Sequence, residues 1–204
     1  DRRLSRGLGD VYKRQALANC YSYLPKKDDI YATFVVASDE LTTPLQKEPN
    51  SIKLMKGEQS VSNPKMSFWS GYSGGAYQGS LWEAIRSCNI LIDNIDLVID
   101  MQQQEKNEWK AEAEFLKAYY HFLLLTYYGP IPIVDVNIPI SANDDEVRVE
   151  REPFDEVISY IVETIDNSII NLPLRVTGAN DLGRVDQTVS YTHLTLPTRG
   201  LVGV

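Results

Sequence analysis

The chain has 204 residues, 43% of them apolar and 24% charged, and carries a formal net charge of −8, which fits one soluble globular domain or part of one. An acidic chain with no basic stripe does not attract polyphosphate backbones or anionic lipid, so general nucleic-acid and membrane-surface binding are excluded. No run approaches the roughly 18–20 consecutive apolar residues of a membrane span, and neither cysteine, Cys20 or Cys88, sits in a CxxC pair; both read as small buried side chains.

In chain order, residues 1–15 show neither a helical nor a strand period and hold five basic residues. They contain no apolar core of a secretory signal. Residues 16–24 read as a short helix stopped by Pro25, with Leu17, Tyr21 and Leu24 on one face. Residues 30–38 are β-branched and aromatic, consistent with a short strand or an extended loop. Residues 42–80 are rich in Pro, Ser, Asn and Gly and read as a long irregular segment. A loop of that length in a compact domain is often functional. It holds an aromatic cluster, Phe68, Trp69, Tyr72 and Tyr77, spaced by Gly71, Gly74 and Gly75.

The first strong helix is expected at 80–97, with Leu81, Ile85, Cys88, Ile92 and Ile95 as its apolar stripe and Trp82 beside it. A second is expected at 104–128. Trp109, Ala113, Leu116, Tyr120, Leu123 and Tyr127 recur every three or four residues, and Tyr119, Leu124 and Tyr128 widen the buried face. Gly129 and Pro130 form its stop signal. Ile131-Pro132-Ile133-Val134 must be extended, because the prolines forbid helix. A third helix begins near Pro153, with Asp155 and Glu156 at its positive end and a stripe from Phe154 through Val157, Ile158, Ile161, Ile165 and Ile169 to Leu172. Gly183-Arg184-Val185-Asp186 reads as a turn leading into a fourth helix, which the Thr/Leu-rich residues 189–204 interrupt.

The two ends resemble translated sequencing-adapter read-through. The strings are Val11-Tyr12-Lys13-Arg14-Gln15 and Val189-Ser190-Tyr191-Thr192-His193-Leu194-Thr195-Leu196-Pro197-Thr198. The expected organisation is therefore a helical domain fragment at 16–188, flanked by artefactual residues at 1–15 and 189–204. The central part holds 14 Lys+Arg against 26 Asp+Glu, a net charge of −12, and His121 as its one histidine.

Reactive constellations are not evident. Glu108 and Glu112 are i, i+4 neighbours, but neither the residue three before His121 (Ala118) nor that four before (Lys117) is a carboxylate, so no Glu-x-x-His metal pattern forms. Glu112 is expected on a solvated acidic face and His121 as a half-buried packing residue. Asp144-Asp145-Glu146 lacks the ligand spacing of a calcium loop. With one histidine in the central part, no Gly-x-Ser-x-Gly, no Walker motif and no dinucleotide-binding glycine pattern, no catalytic residues, cofactor or metal are expected. The aromatic cluster is the best binding candidate: rings supply large contact area at little rotamer entropy, and a loop presents them. The same rings could instead pin the loop to the helical body.

The order of motifs is similar to that of the SusD/RagB family of outer-membrane nutrient-binding lipoproteins. The resemblance runs over nearly all of 16–188. It rests on Ser38-Asp39-Glu40, on Trp82-Glu83-Ala84-Ile85-Arg86-Ser87-Cys88-Asn89-Ile90-Leu91-Ile92, and on Ala111-Glu112-Ala113-Glu114-Phe115-Leu116-Lys117-Ala118-Tyr119-Tyr120-His121-Phe122. Tyr128-Gly129-Pro130-Ile131-Pro132-Ile133-Val134, Asn171-Leu172-Pro173 and Gly183-Arg184-Val185 complete it. Trp82 stands where the family often has Tyr. The resemblance implies an all-α, TPR-like helical superstructure, truncated here, with long irregular loops. It implies a surface-exposed lipoprotein of the cell outer membrane that binds an oligosaccharide or other nutrient without chemistry. It also implies a SusC-like TonB-dependent outer-membrane transporter as partner, and a signal and lipidated Cys that Cys20 does not supply. Family binding residues before the helix begun by Leu81 carry over to Trp69 and Tyr72; much of the remaining ligand surface lies in a C-terminal portion absent here. The alternative, an intracellular helical-repeat scaffold for a peptide or protein partner, predicts a clean repeat period, which the sequence lacks.

Overall fold

The computed structural model describes residues 13–24, 49–58, 60, 62–64, 68–70, 79–139, 141–143, 147–178 and 181–192. The chain divides into two compact units, one of residues 1–22 with 83–204 and one of residues 23–82. The helices are α1 (13–22), α2 (Pro49–Met55), α3 (Leu81–Asn94, continued by a 3-10 turn Ile95–Leu97), α4 (Gln103–Tyr128), α5 (Phe154–Ile169) and α6 (187–192). No strand forms among the described residues; an isolated bridge joins Ser60 to Asn63. The residues 30–38 lie outside the described set.

The larger unit is organised by α4, which packs along α5. The stripe residues Trp109, Ala113, Leu116, Tyr120 and Leu123 are buried, as expected. Ala111, Phe115, Ala118, Leu124 and Leu125 are buried too, so α4 has an apolar surface most of the way round and lies in the interior. Each buried Leu or Phe contributes about 2 kcal/mol relative to exposure. Helix α5 buries the narrower set Val157, Ile161, Ile165 and Ile169. Helix α3 buries Ala84, Ile85, Cys88 and Leu91; Leu91, rather than the expected Ile92, completes its stripe.

Helix α4 ends at Gly129, whose φ of 69° is the left-handed region that costs glycine nothing. Its N–H closes the last turn on the Leu125 carbonyl at 2.9 Å. The chain then runs extended, and buried polar side chains pin it to the helices. His121 Nε2 accepts from the Val134 N–H at 3.2 Å, and Asn89 Nδ2 donates to the Val134 carbonyl at 3.2 Å. Lys117 Nζ reaches both the Asp135 carbonyl at 3.2 Å and its Oδ1 at 2.8 Å. The Tyr160 hydroxyl of α5 donates to the same Oδ1 at 2.9 Å. Burial works against the Asp135 carboxylate, but the hydrogen bonds from Lys117 and Tyr160 outweigh it and hold its pKa below the ordinary value.

The turn after α5 does similar work for the helix ends. Gln187 Nε2, at the start of α6, donates to the carbonyls of Ile169 and Leu172, at 3.2 and 2.9 Å, and the Ile169 carbonyl also accepts the Leu172 N–H at 3.2 Å. Asp186 caps α6, its Oδ1 accepting from the Val189 N–H at 3.0 Å. The expected fourth helix therefore forms. It runs past residue 188, and α1 begins before residue 16 and ends at residue 22.

In the smaller unit, the segment 42–80 is not irregular throughout. It contains α2, because Pro49 occupies a first-turn position where its missing N–H costs nothing. Gly57, at φ 72°, ends the helix in a Schellman arrangement: the Glu58 N–H donates to the Lys53 carbonyl and the Gly57 N–H to the Leu54 carbonyl, both at 2.9 Å.

His121 gives this fold an acid response. It is fully buried rather than half-buried. Because Nε2 accepts from Val134, the proton sits on Nδ1 and is donated to the Lys117 carbonyl at 2.8 Å. Burial pushes its pKa from 6.5 down to about 4. Between those values the unfolded chain binds a proton that the folded chain refuses, so stability falls as pH drops, by about 3 kcal/mol across the window. Denaturant titrations across that range should show this slope, and His121→Gln should flatten it. An unchanged slope in the variant would remove His121 from the acid response.

Candidate functional site

The expected aromatic platform is described only in part. Tyr72, with Gly71, Gly74, Gly75 and Tyr77, lies outside the described residues, and so does the acidic run Asp144-Asp145-Glu146. Trp69 is described. It sits in a turn at residues 68–70 whose backbone is tied to the start of α3, the Leu81 N–H donating to the Phe68 carbonyl at 2.9 Å. Phe68 is buried and anchors the turn, while Trp69 is half-buried. The Trp69 ring meets Trp82 edge to face, centroids 5.0 Å apart at 78°. That contact fixes the ring's orientation, a favourable geometry for two aromatic quadrupoles. A ring held this way can meet an apolar ligand face, and it offers no acid, base or nucleophile.

The strongest electrostatic feature was not foreseen. Glu112, expected on a solvated face, is 1% exposed. It sits three residues after Trp109 and four before Leu116, which places it on the core stripe rather than beside it. Tyr21 of α1 donates its hydroxyl to Glu112 Oε2 at 2.5 Å. Arg184, from the turn before α6, pairs with both oxygens: its Nε meets Oε2 at 3.2 Å and an Nη meets Oε1. Desolvation raises the Glu112 pKa and these donors oppose it, leaving it above the ordinary carboxylate value. Arg184 also pairs with Asp181 at 2.9 Å and lies 5.8 Å from the centre of the Trp109 ring. The Tyr21 oxygen in turn accepts the Val185 N–H at 2.9 Å.

A cleft of about 430 Å³ opens beside this network, lined by Arg14, Leu17, Tyr21, Trp109, Leu182 and Arg184 among others. Its size is within the range of small-molecule sites. Yet its Tyr21 hydroxyl and Arg184 guanidinium are already engaged with Glu112 and Asp181, which makes this region a structural joint. Among the described residues no group of three or more His, Cys, Asp or Glu gathers as a metal site, and no helix is long and apolar enough to cross a membrane.

The fold is that of an all-α protein with TPR-like helical architecture, shared with solved SusD-like proteins. The chain belongs to the SusD-like family described as starch-binding associating with outer membrane, whose model matches residues 14–194. Among solved structures it is similar to a laminarin-binding SusD-like protein (16% identity, TM-score 0.72), covering 90% of this chain and 38% of that one. It is also similar to surface glycan-binding protein A from Bacteroides uniformis (19%, TM-score 0.70, covering 91% and 40%). A third is surface glycan-binding protein A from Bacteroides thetaiotaomicron in complex with laminarihexaose (17%, TM-score 0.67, covering 91% and 38%). The chain thus spans well under half the length of these proteins. No curated protein sequence matches it.

The Glu112 joint carries a stability prediction. Glu112→Gln should destabilise the fold by about 2–4 kcal/mol, because it leaves the part-buried guanidinium of Arg184 with one carboxylate partner. In a double-mutant cycle with Arg184→Met, measured by chemical denaturation, the two losses should be strongly non-additive. Additive losses would mean that the pair does not act as a unit.

Proposed function

We propose that this protein binds an oligosaccharide at the bacterial cell surface, without turning it over, and presents it to a SusC-like TonB-dependent outer-membrane transporter. The observation that carries this reading is family membership across residues 14–194, under a description that names starch binding and the outer membrane. The likeness to a protein solved with laminarihexaose adds support for a glucan as ligand class. The half-buried Trp69, braced by Trp82, supports a contact in which the ring covers the apolar C–H face of a sugar. Tyr72, expected beside it, belongs to the same proposed platform. The joint around Glu112 has its donors engaged internally, which favours the loop over the cleft as the ligand contact. Attachment through a lipidated Cys belongs to the same reading.

Affinity electrophoresis through gels containing laminarin, starch or another neutral polysaccharide tests the reading. At least one of these should retard the protein. Trp69→Ala should weaken that retardation by about tenfold in Kd, while the far-ultraviolet circular dichroism stays unchanged. Incubation with the retarding glycan should release no new reducing ends. Absence of retardation by every polysaccharide, or release of reducing ends, would overturn the proposal.

A further inference from the structure

The extended segment 131–138 leaves the end of α4 as a strap without strand pairing. Side chains of three helices hold it instead. Arg86 and Asn89 of α3 donate to the carbonyls of Ile138 and Val134, at 3.4 and 3.2 Å. Lys117 of α4 and Tyr160 of α5 both meet Asp135 Oδ1. The Val134 N–H rests on His121 Nε2 at 3.2 Å. The near end is anchored: Ile131 is fully buried, and its carbonyl accepts the Glu152 N–H at 3.0 Å. The far part is looser. No residue from 134 to 138 is buried, and Val136 is 68% exposed. Two acceptors here, Asn89 Oδ1 and Asn137 Oδ1, are shielded from solvent without a hydrogen-bond partner among the described residues. Each is a cost of the closed arrangement that water would relieve if the strap moved.

His121 lies directly beneath. Its Nδ1 already donates to the Lys117 carbonyl at 2.8 Å, and the Tyr160 ring meets it edge to face with centroids 5.2 Å apart. A second proton can enter only at Nε2, where the Val134 N–H already points, so two N–H groups would then face each other. Moving Val134 aside resolves the clash and brings water to the imidazolium without unwinding a helix. We propose that protonation of His121 releases residues 134–138 from α4 as a local, reversible opening, while the helices stay in place. The charged groups facing His121 are Lys117 of α4 and Asp135 of the strap; Arg86 of α3 holds the strap's far end, and Tyr160 of α5 is neutral. The hydrogen bonds from Lys117 and Tyr160 outweigh burial and keep the Asp135 pKa low, so that tether persists while the Val134 contact fails. Burial raises the pKa of Glu114, three residues before Lys117, so this carboxylate is the control. The closed strap refuses a proton that the open one accepts. The open-to-closed ratio therefore rises as pH falls below 6.5, by about tenfold per pH unit, until the closed form itself protonates near 4. The inference does not depend on which ligand the protein binds.

The whole 204-residue chain carrying Val136→Cys is labelled with a nitroxide. Cys20 and Cys88 are buried, and the chain without the substitution, taken through the same reaction, shows that the label sits at 136. Spin-label mobility and far-ultraviolet circular dichroism are followed as the pH is lowered from 6.5 to about 4. A mobile component should grow about tenfold per pH unit relative to the immobile one, reversibly, with helix content unchanged. His121→Gln should abolish the growth and Glu114→Gln should leave it. Nitrogen-15 titration of the imidazole in the chain that keeps His121 should share the midpoint of the mobility change, a measurement that needs no variant at 121. A label that stays immobile throughout, release only as helix content falls, growth that persists in His121→Gln or is lost in Glu114→Gln, or separate midpoints would overturn the inference.

Discussion

The carboxylate of Glu112 has almost no access to water, and satisfying it dictates how the larger unit is put together. Removing an ion from water costs several kcal/mol, offset only when its oxygens find well-placed donors. Here those donors come from far away in sequence: Tyr21 from the first helix, and Arg184 from the turn before the last. Helix α4 alone could not hold a charge on its core stripe. The chain closes around it instead, with the Val185 N–H completing the Tyr21 oxygen and the Trp109 ring lying near the guanidinium.

A second buried charge follows the same rule. Lys117 lies on α4 with little exposure, and its ammonium is met by the carbonyl and carboxylate of Asp135, which Tyr160 supports from α5. His121 adds a neutral donor and acceptor to the same strap. These groups look reactive as a list of residue types. Their partners show that they fasten one extended segment to two helices. Such satisfied networks specify a single packing.

The helices were legible because their stripes are long and strongly periodic. The second helix is expected at 104–128 and found at Gln103–Tyr128, with its stop at Gly129 set by a backbone conformation few other residues tolerate. The motif order from Trp82 to Val185 was enough to indicate the family. The short helix Pro49–Met55 was not legible, since a seven-residue segment has too few turns to show a period and its composition is that of a loop. Glu112 was misread for a different reason. Pairing it with Glu108 one turn away suggested a solvated face, whereas its spacing from Trp109 and Leu116 put it among the core residues. A charge on a core stripe calls for a partner distant in sequence, and periodicity alone cannot name Tyr21 or Arg184. The aromatic platform is an expectation from composition; of its two expected contacts Trp69 is described and Tyr72 lies outside the described residues.

If Glu112 is the fastening point, α1 and the turn into α6 must come loose together. Native-state hydrogen exchange reads this directly. The amides of residues 17–22 and of Val185, Val189 and Ser190 should share one opening free energy, lower than that of the α4 interior, because breaking the Tyr21–Glu112–Arg184 contact frees both segments at once. Independent opening of the two segments, each with its own free energy and denaturant dependence, would contradict the account.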